Sequence, residues 1–187
     1  MAVKRCIPSA VKVGGTFPET PRFLPANKAV LTGSPIRADL LRGDRLSGLN
    51  YAHLSSEKPI LMVIGGSLGS VAVNQAVRGI LPRLLETFQI IHICGKGNLD
   101  EGLIGTPGYV QYEYVDAPLK HLFAAADVVI SRAGANSICE LLALSKPNPL
   151  IPLPASARRS DQILTAPSFQ NQGLSRVTAH DIPTTTH

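Results

Sequence analysis

Residues 59–79, which read PILMVIGGSLGSVAVNQAVRG, follow the order strand, glycine-rich turn, helix. Residues 60–64 form an unbroken apolar run with the length of a buried strand, and from residue 71 apolar side chains recur at helical steps of three and four. The turn between them, residues 65–70, is neither Gly-x-Gly-x-x-Gly nor a P-loop. Its glycines let the backbone approach a ligand, and N–H groups at a helix start attract anions. The stretch predicts the first half of a βαβ unit. Its turn either binds phosphate or is an ordinary tight turn of an α/β protein.

A second stretch, residues 127–140 (DVVISRAGANSICE), repeats this order. In a parallel sheet both turns lie at the carboxyl edge, and two anion-attracting helix starts there suit a nucleotide diphosphate. Glu140 either accepts hydrogen bonds from a ribose diol or is an ordinary solvated glutamate. Arg132 either pairs with phosphate or is a structural partner of Asp127. Gln162, near the start of a further predicted helix, either contacts a base or sugar edge or is simply exposed.

Strands alternate with helices along most of the chain, which predicts an α/β fold with a doubly wound parallel sheet. Residues 14–16 (GGT) are not expected to form another nucleotide loop, because no strand and helix flank them. Residues 38–58 are expected to form a helical turn and loop. The predicted strands cover residues 29–32, 60–64, 88–94, 109–115, 127–130, 150–153 and 174–177.

Composition narrows the class of protein. The chain has 187 residues, of which 44% are hydrophobic, and this is typical of a globular domain. Its apolar runs are too short for a membrane-spanning helix, and the N-terminus has no apolar signal-peptide core. Three widely spaced cysteines suit the reducing cytoplasm. The net charge of +5 comes from residues 1–58. This basic segment either binds an anionic partner or is simply a solvated face. Binding of nucleic acid is not expected, because no aromatic residues are interleaved with the basic ones.

Four motifs in order resemble one family. They are TGSPIR at residues 32–37, GGSLGS at 65–70 with Asn74, SRAGA at 131–135 with Glu140, and Asp161-Gln162. The chain resembles the MurG family of N-acetylglucosaminyltransferases, from about residue 5 to about residue 177. The resemblance implies a Rossmann-like GT-B fold, of which this chain is the C-terminal, donor-binding half. It divides the chain into a connector at residues 1–27, a donor-binding domain at 28–177 and a divergent tail at 178–187.

The resemblance also implies site residues. Ser67 on the glycine loop and Arg37 would contact the donor diphosphate region, and Val115 would meet uracil through its backbone. The start of the second helix would line the nucleotide, Glu140 would hold the ribose hydroxyls, and Gln162 would contact the sugar. The donor-binding set is Arg37, Gly66, Ser67, Val115, Ala135, Asn136, Ser137, Glu140 and Gln162. No metal or other cofactor is expected, and no histidine matches the family's catalytic position.

The implied function is transfer of N-acetylglucosamine from its UDP donor to a lipid-linked muramyl-peptide acceptor in peptidoglycan synthesis. The acceptor would bind an N-terminal domain that this sequence does not match, so the chain alone is expected to be inactive: a truncated product, a fragment or one subunit of a split enzyme. Two alternatives remain, another UDP-sugar glycolipid transferase and a nucleotide-sugar-binding module that needs a separate membrane-bound partner. A cytoplasmic location is expected, with peripheral association at the inner face of the membrane.

Overall fold

The structure is a computed structural model that describes residues 5–16, 23–65, 69–132 and 134–151, and the backbone of 176–177. The chain divides into two compact units, residues 1–36 and 37–187. The domain boundaries implied by the resemblance stay a prediction. Within the described ranges, no helix is long and apolar enough to cross a bilayer.

The first unit contains a small parallel sheet. Strand β1, Val13–Gly15, pairs with β2, Ala29–Leu31, and Lys28 Nζ donates to the backbone oxygens of Ile7 and Pro8 at 3.0 and 2.8 Å. Residues 14–16 are not expected to form a nucleotide loop, and the structure places the two glycines within strand β1 itself. Glycine has low strand propensity, and the pairing with β2 overrides it here.

The second unit is built on a parallel sheet of six strands, which confirms the predicted fold class. The spatial order is β5-β4-β3-β6-β7-β8, the doubly wound order in which the chain works outward from β3 and then outward from β6. All neighbouring pairs in this sheet are parallel. The strands are β3 Ile60–Ile64, β4 Gln89–Ile93, β5 Tyr109–Tyr112, β6 Val128–Arg132, β7 Pro149–Ile151 and β8 Arg176–Val177.

Two strand ends in the described part of the chain differ from the sequence prediction by more than one residue. Strand β5 stops at Tyr112 because its partner β4 ends opposite it at Ile93, so residues 113–115 leave the sheet. Strand β6 continues to Arg132, because Ser131 still pairs with β3 and Arg132 with β7. Pairing partners, which local sequence does not reveal, set both ends.

Five α-helices connect the described strands: α1 Arg45–Ala52, α2 Val71–Gly79, α3 Leu81–Thr87, α4 Leu119–Ala125 and α5 Ala135–Ala143. Short 3-10 helices occupy Ala38–Arg42 and Glu101–Leu103. Helix α1 is longer than the predicted helical turn; the Asp44 carboxylate caps it by accepting from Ser47 N at 2.7 Å. Pro82 lies in the first turn of α3, where its missing N–H costs no helical hydrogen bond.

Both faces of the sheet are buried. On one face Leu61 and Val63 of β3 pack in a cluster with Val73 and Val77 of α2. On the other face Ile60 and Met62 have no exposed surface. A strand covered on both sides needs a continuous apolar sequence, which is what residues 60–64 supply.

Helix α4 packs at very close range against Gly48 of α1 and against Gly43, which precedes α1. A Cβ on Gly48 would lie 2.1 Å from the His121 backbone oxygen, and one on Gly43 would lie 2.1 Å from that of Lys120.

We expect Gly48→Ala to lower the free energy of unfolding by about 1–3 kcal/mol or more, because a rigid backbone has to move. Gly79→Ala is the matched control, since its Cβ would meet nothing within 4 Å. Urea unfolding of the two variants checks this, and equal effects would contradict it.

Candidate functional site

The second unit has a single described point where the sheet changes winding direction. From β3 the chain crosses to β4 on one side, and from β6 it crosses to β7 on the other. The loops after β3 and β6 therefore diverge, and the crevice between such loops is where doubly wound sheets bind ligands. Helix α2 starts after the first loop and α5 after the second. The structure thus brings both predicted glycine turns to one edge.

The loop after β3 requires glycine at two described positions. A Cβ on Gly65 would lie 2.7 Å from Ser70 N. Gly69 has φ of +73°, and its Cβ would lie 1.9 Å from the Cys94 backbone oxygen at the end of β4. The loop therefore packs at Gly69 directly against the end of β4. The predicted ligands Gly66 and Ser67 lie outside the described residues, as does Gln162.

A cleft of about 230 Å³ opens at this edge. Three predicted site residues, Arg37, Val115 and Ser137, line it. The remaining lining residues come from the ends of β3 and β4, from the segment after β5 and from α4: Ile64, Ile93, Glu113, Tyr114 and Leu119. The cleft combines apolar walls with a few charged groups, which is the usual character of a small-molecule site.

Arg37 and Glu140 form an ion pair beside this cleft. Arg37 Nε donates to Glu140 Oε1 at 3.1 Å, and the two side chains are 59% and 20% exposed. Glu140 is therefore not an ordinary solvated glutamate. A half-exposed pair of this kind contributes at most about 1 kcal/mol, so a ligand can replace it at low cost.

The first turn of α5 carries three predicted ligands in sequence. Ala135 and Ser137 are half-buried and Asn136 is exposed. The residue before the helix, Gly134, has no side chain to cap it, so the N–H groups of this turn are not satisfied from that position. Val115 is 4% exposed and follows β5, and its predicted backbone contact with uracil stays a prediction.

Asp127 and Arg132, which sequence allowed as a structural pair, lie at opposite ends of β6. Five residue steps of extended strand place their Cα atoms roughly 16 Å apart. Asp127 instead accepts from Arg45 Nη1 and Nη2 at 2.9 and 3.1 Å and from Ile60 N at 2.8 Å. The structural reading of Arg132 as the partner of Asp127 is therefore wrong.

A buried network of polar side chains contacts the strand end against which the glycine loop packs. Asn74 Nδ2 on α2 donates to the Cys94 backbone oxygen at 2.9 Å, the same oxygen that Gly69 approaches. Its Oδ1 then faces His92 Nε2 at 3.0 Å, so Nε2 carries the proton, and Tyr109 Oη donates to Nδ1 at 2.9 Å. Burial lowers the pKa of His92 to about 4. The sequence analysis gave no histidine a catalytic position and missed this network, whose only signal was Asn74 in the family motif.

The comparisons with known proteins identify the family of this chain. The sequence profile of the glycosyltransferase family 28 C-terminal domain matches residues 60–184. Two curated relatives bear the name UDP-N-acetylglucosamine--N-acetylmuramyl-(pentapeptide) pyrophosphoryl-undecaprenol N-acetylglucosamine transferase. That of Lachnoclostridium phytofermentans is 57% identical over 182 residues, which is 97% of this chain and 51% of the relative. That of Lachnospira eligens is 56% identical over 177 residues, 95% of this chain and 50% of the relative.

Among solved structures, MurG of Acinetobacter baumannii superposes with a TM-score of 0.65 at 20% sequence identity, over 96% of this chain and 50% of that one. This likeness concerns the fold, and it confirms the expected Rossmann-like half of a GT-B glycosyltransferase. The chain spans about half the length of the curated relatives it matches. The family resemblance read from the motifs is confirmed: the chain belongs to glycosyltransferase family 28, of which it is the C-terminal domain.

Proposed function

We propose that this chain is the donor-binding half of a transferase that moves N-acetylglucosamine from UDP-N-acetylglucosamine to a lipid-linked muramyl-peptide acceptor in peptidoglycan synthesis. The observation that carries the proposal is the Arg37–Glu140 pair beside a cleft at the switch point of the sheet. One cation and one anion in contact match the two polar parts of a nucleoside diphosphate. The activity that the relatives' names state supports the choice of sugar and acceptor.

The chemistry follows from these groups. The Glu140 carboxylate accepts hydrogen bonds from the two ribose hydroxyls, and Arg37, released from Glu140, turns its guanidinium to the diphosphate. Backbone N–H groups at the start of α5 add fixed positive potential where the leaving diphosphate gains charge. In this proposal no metal ion is needed. We assign the acceptor site and the general base to the part of the relatives' length that this chain does not span.

Calorimetric titration tests the proposal. We expect UDP-N-acetylglucosamine and UDP to bind and ADP to bind much more weakly, with the same affinities when EDTA is present. Sugar transfer by the chain alone should stay at background. Equal affinity for ADP would overturn the assignment of a uridine site, and loss of binding in EDTA would overturn metal independence. A preference for UDP-glucose would favour another UDP-sugar transferase.

Replacing Glu140 by alanine should weaken binding of UDP and of uridine alike, by about 1.5–3 kcal/mol, because both ligands carry the ribose hydroxyls. Glu86→Ala is the matched control, since Glu86 is an exposed glutamate on α3. The free energy of unfolding should change by less than about 1 kcal/mol, because only a half-exposed ion pair is lost. If a folded Glu140→Ala protein kept its uridine affinity, the ribose assignment would be wrong.

A further inference from the structure

Residues 113–115 form one wall of the cleft but lie outside the sheet. Strand β5 ends at Tyr112, where its ladder with β4 also ends, and each of the next three residues lines the cleft. A segment beyond a ladder depends on contacts of its own to stay in place. Val115 provides one such contact, because its side chain is buried, whereas Tyr114 is 67% exposed and provides little.

The carboxylate of Glu113 provides a second contact. Its Oε1 accepts a hydrogen bond from the backbone N–H of Gly97. Gly97 lies in the loop of residues 94–100 that follows β4, here called the β4 loop. An ionised acceptor makes such a bond stronger than a neutral one does. Glu113 therefore ties the cleft wall to the β4 loop.

The β4 loop is itself fixed from α2. Arg78 Nη2, near the C-terminal end of α2, donates to the backbone oxygen of Asn98 at 2.6 Å and to Oε1 of Gln111 at 2.7 Å. The Gln111 side chain also accepts from the backbone N of Asp100 at 3.1 Å and donates to its backbone oxygen at 2.9 Å. Only 18% of the Arg78 side chain is exposed, so water competes little for these bonds. The β4 loop therefore offers a fixed N–H group to the cleft wall.

The charge of Glu113 is not matched by a cation. Arg37 and Glu140, the other charged groups beside the cleft, pair with each other, and no ion pair within the described ranges includes Glu113. A carboxylate in the wall of a site for a diphosphate repels the ligand, so its charge alone disfavours binding. The hydrogen bond to Gly97 gives the residue a different use, as an acceptor that holds the backbone.

We propose that Glu113 is a positioning residue of the donor site: by accepting from the Gly97 N–H, it holds residues 113–115 in the geometry that recognises the nucleobase. The inference rests on the proposed function, which supplies the ligand. Arg78 acts at the other end of the same link, because it fixes the β4 loop. Loss of the Glu113 bond leaves the groups for ribose and diphosphate in place, since these belong to other segments. Its effect therefore falls on the choice of base.

Three substitutions at one position separate the hydrogen bond from the charge. Glu113→Gln keeps an oxygen at the same reach and removes the charge, Glu113→Asp keeps the charge but is one methylene shorter, and Glu113→Ala removes both. We expect Glu113→Ala and Glu113→Asp to lower UDP affinity roughly 3- to 10-fold, the range for a single hydrogen bond, and Glu113→Gln not to lower it. Glu101→Ala removes an exposed carboxylate from the following 3-10 helix and should leave UDP affinity unchanged.

Calorimetry measures UDP affinity, and NMR titration measures the weak binding of ADP, which should be equal in all variants. The ratio of UDP to ADP affinity should therefore fall in Glu113→Ala and not in Glu113→Gln. A second measurement needs no ligand. Hydrogen exchange of the Gly97 amide should be faster in Glu113→Ala and Glu113→Asp than in the unsubstituted chain, and unchanged in Glu113→Gln.

Equal losses of UDP affinity in Glu113→Ala and Glu113→Gln would show that the charge matters rather than the hydrogen bond, and the inference would be wrong. It would also be wrong if Gly97 exchanged at one rate in all variants. Glu113→Asp decides the matter if Glu113→Ala does not fold. Either of these results leaves the proposed function standing. If the unsubstituted chain bound no UDP, the proposed function would fall and this role with it.

Discussion

Replacing Gly69 by alanine should abolish measurable UDP binding and lower the free energy of unfolding by about 2–5 kcal/mol. Two penalties add at this residue. An alanine at φ of +73° costs about 1–2 kcal/mol, and its Cβ would stand 1.9 Å from the Cys94 backbone oxygen, which forces the loop away from β4. The turn that precedes α2 then no longer keeps its place at the switch point.

Gly105→Ala separates the two penalties. Gly105 has φ of +81°, but nothing lies within 4 Å of a Cβ there, so only the backbone penalty applies. Urea unfolding and UDP titration of both variants measure the difference. We expect Gly105→Ala to lose about 1–2 kcal/mol of stability and no affinity. Identical losses in the two variants would show that the contact with Cys94 does not matter.

Acidification should destabilise the chain through His92. The pKa of His92 is about 4 in the folded chain, against 6.5 for an unperturbed histidine, because burial disfavours the imidazolium. Between these two values the unfolded chain binds a proton that the folded chain does not. The free energy of unfolding is therefore fully retained above about pH 6.5 and falls as the pH drops towards 4, by about 3 kcal/mol in all. Urea unfolding at a series of pH values measures the loss.

His92→Gln should flatten this part of the pH profile, at a cost in overall stability, because glutamine does not titrate. His53→Asn is the matched control: His53 is exposed and caps α1 at φ of 53°, a conformation that asparagine tolerates. NMR titration of His92 in the unsubstituted chain gives a second measurement. A His92 pKa near 6.5 would refute the expectation whatever the variants show.

Sequence predicted the parts of the fold that local pattern controls. Strand β3 is apolar throughout because both of its faces are covered. The glycine turn before α2 could be predicted because its glycines are close together in the sequence. Strand ends depended on partners far along the chain, as the early end of β5 and the extension of β6 show. The weak strand β1 has no local signal, since two of its three residues are glycine.

The site, too, has parts that the sequence predicted and parts that only the fold reveals. The motifs named Arg37 and Glu140, but only the fold shows that they touch across 103 positions of sequence. Asp127 and Arg132 are near in sequence, and the extended strand between them keeps them apart. Asn74, His92 and Tyr109 meet through three different elements, so no spacing rule reveals them. The roles of Gly66, Ser67 and Gln162 remain predictions.

The position of β3 in the middle of the sheet has a consequence for synthesis on the ribosome. Strand β4 begins roughly 25 residues after β3 ends and pairs with one edge of β3, whereas β6, which pairs with the other edge, begins only after roughly 60 residues. At about 5–20 residues per second, the other edge of the most apolar strand stays without its partner for roughly 3–12 seconds. An open apolar edge recruits other chains. Slowed elongation between β3 and β6 should therefore increase aggregation of the nascent protein more than slowed elongation after β6.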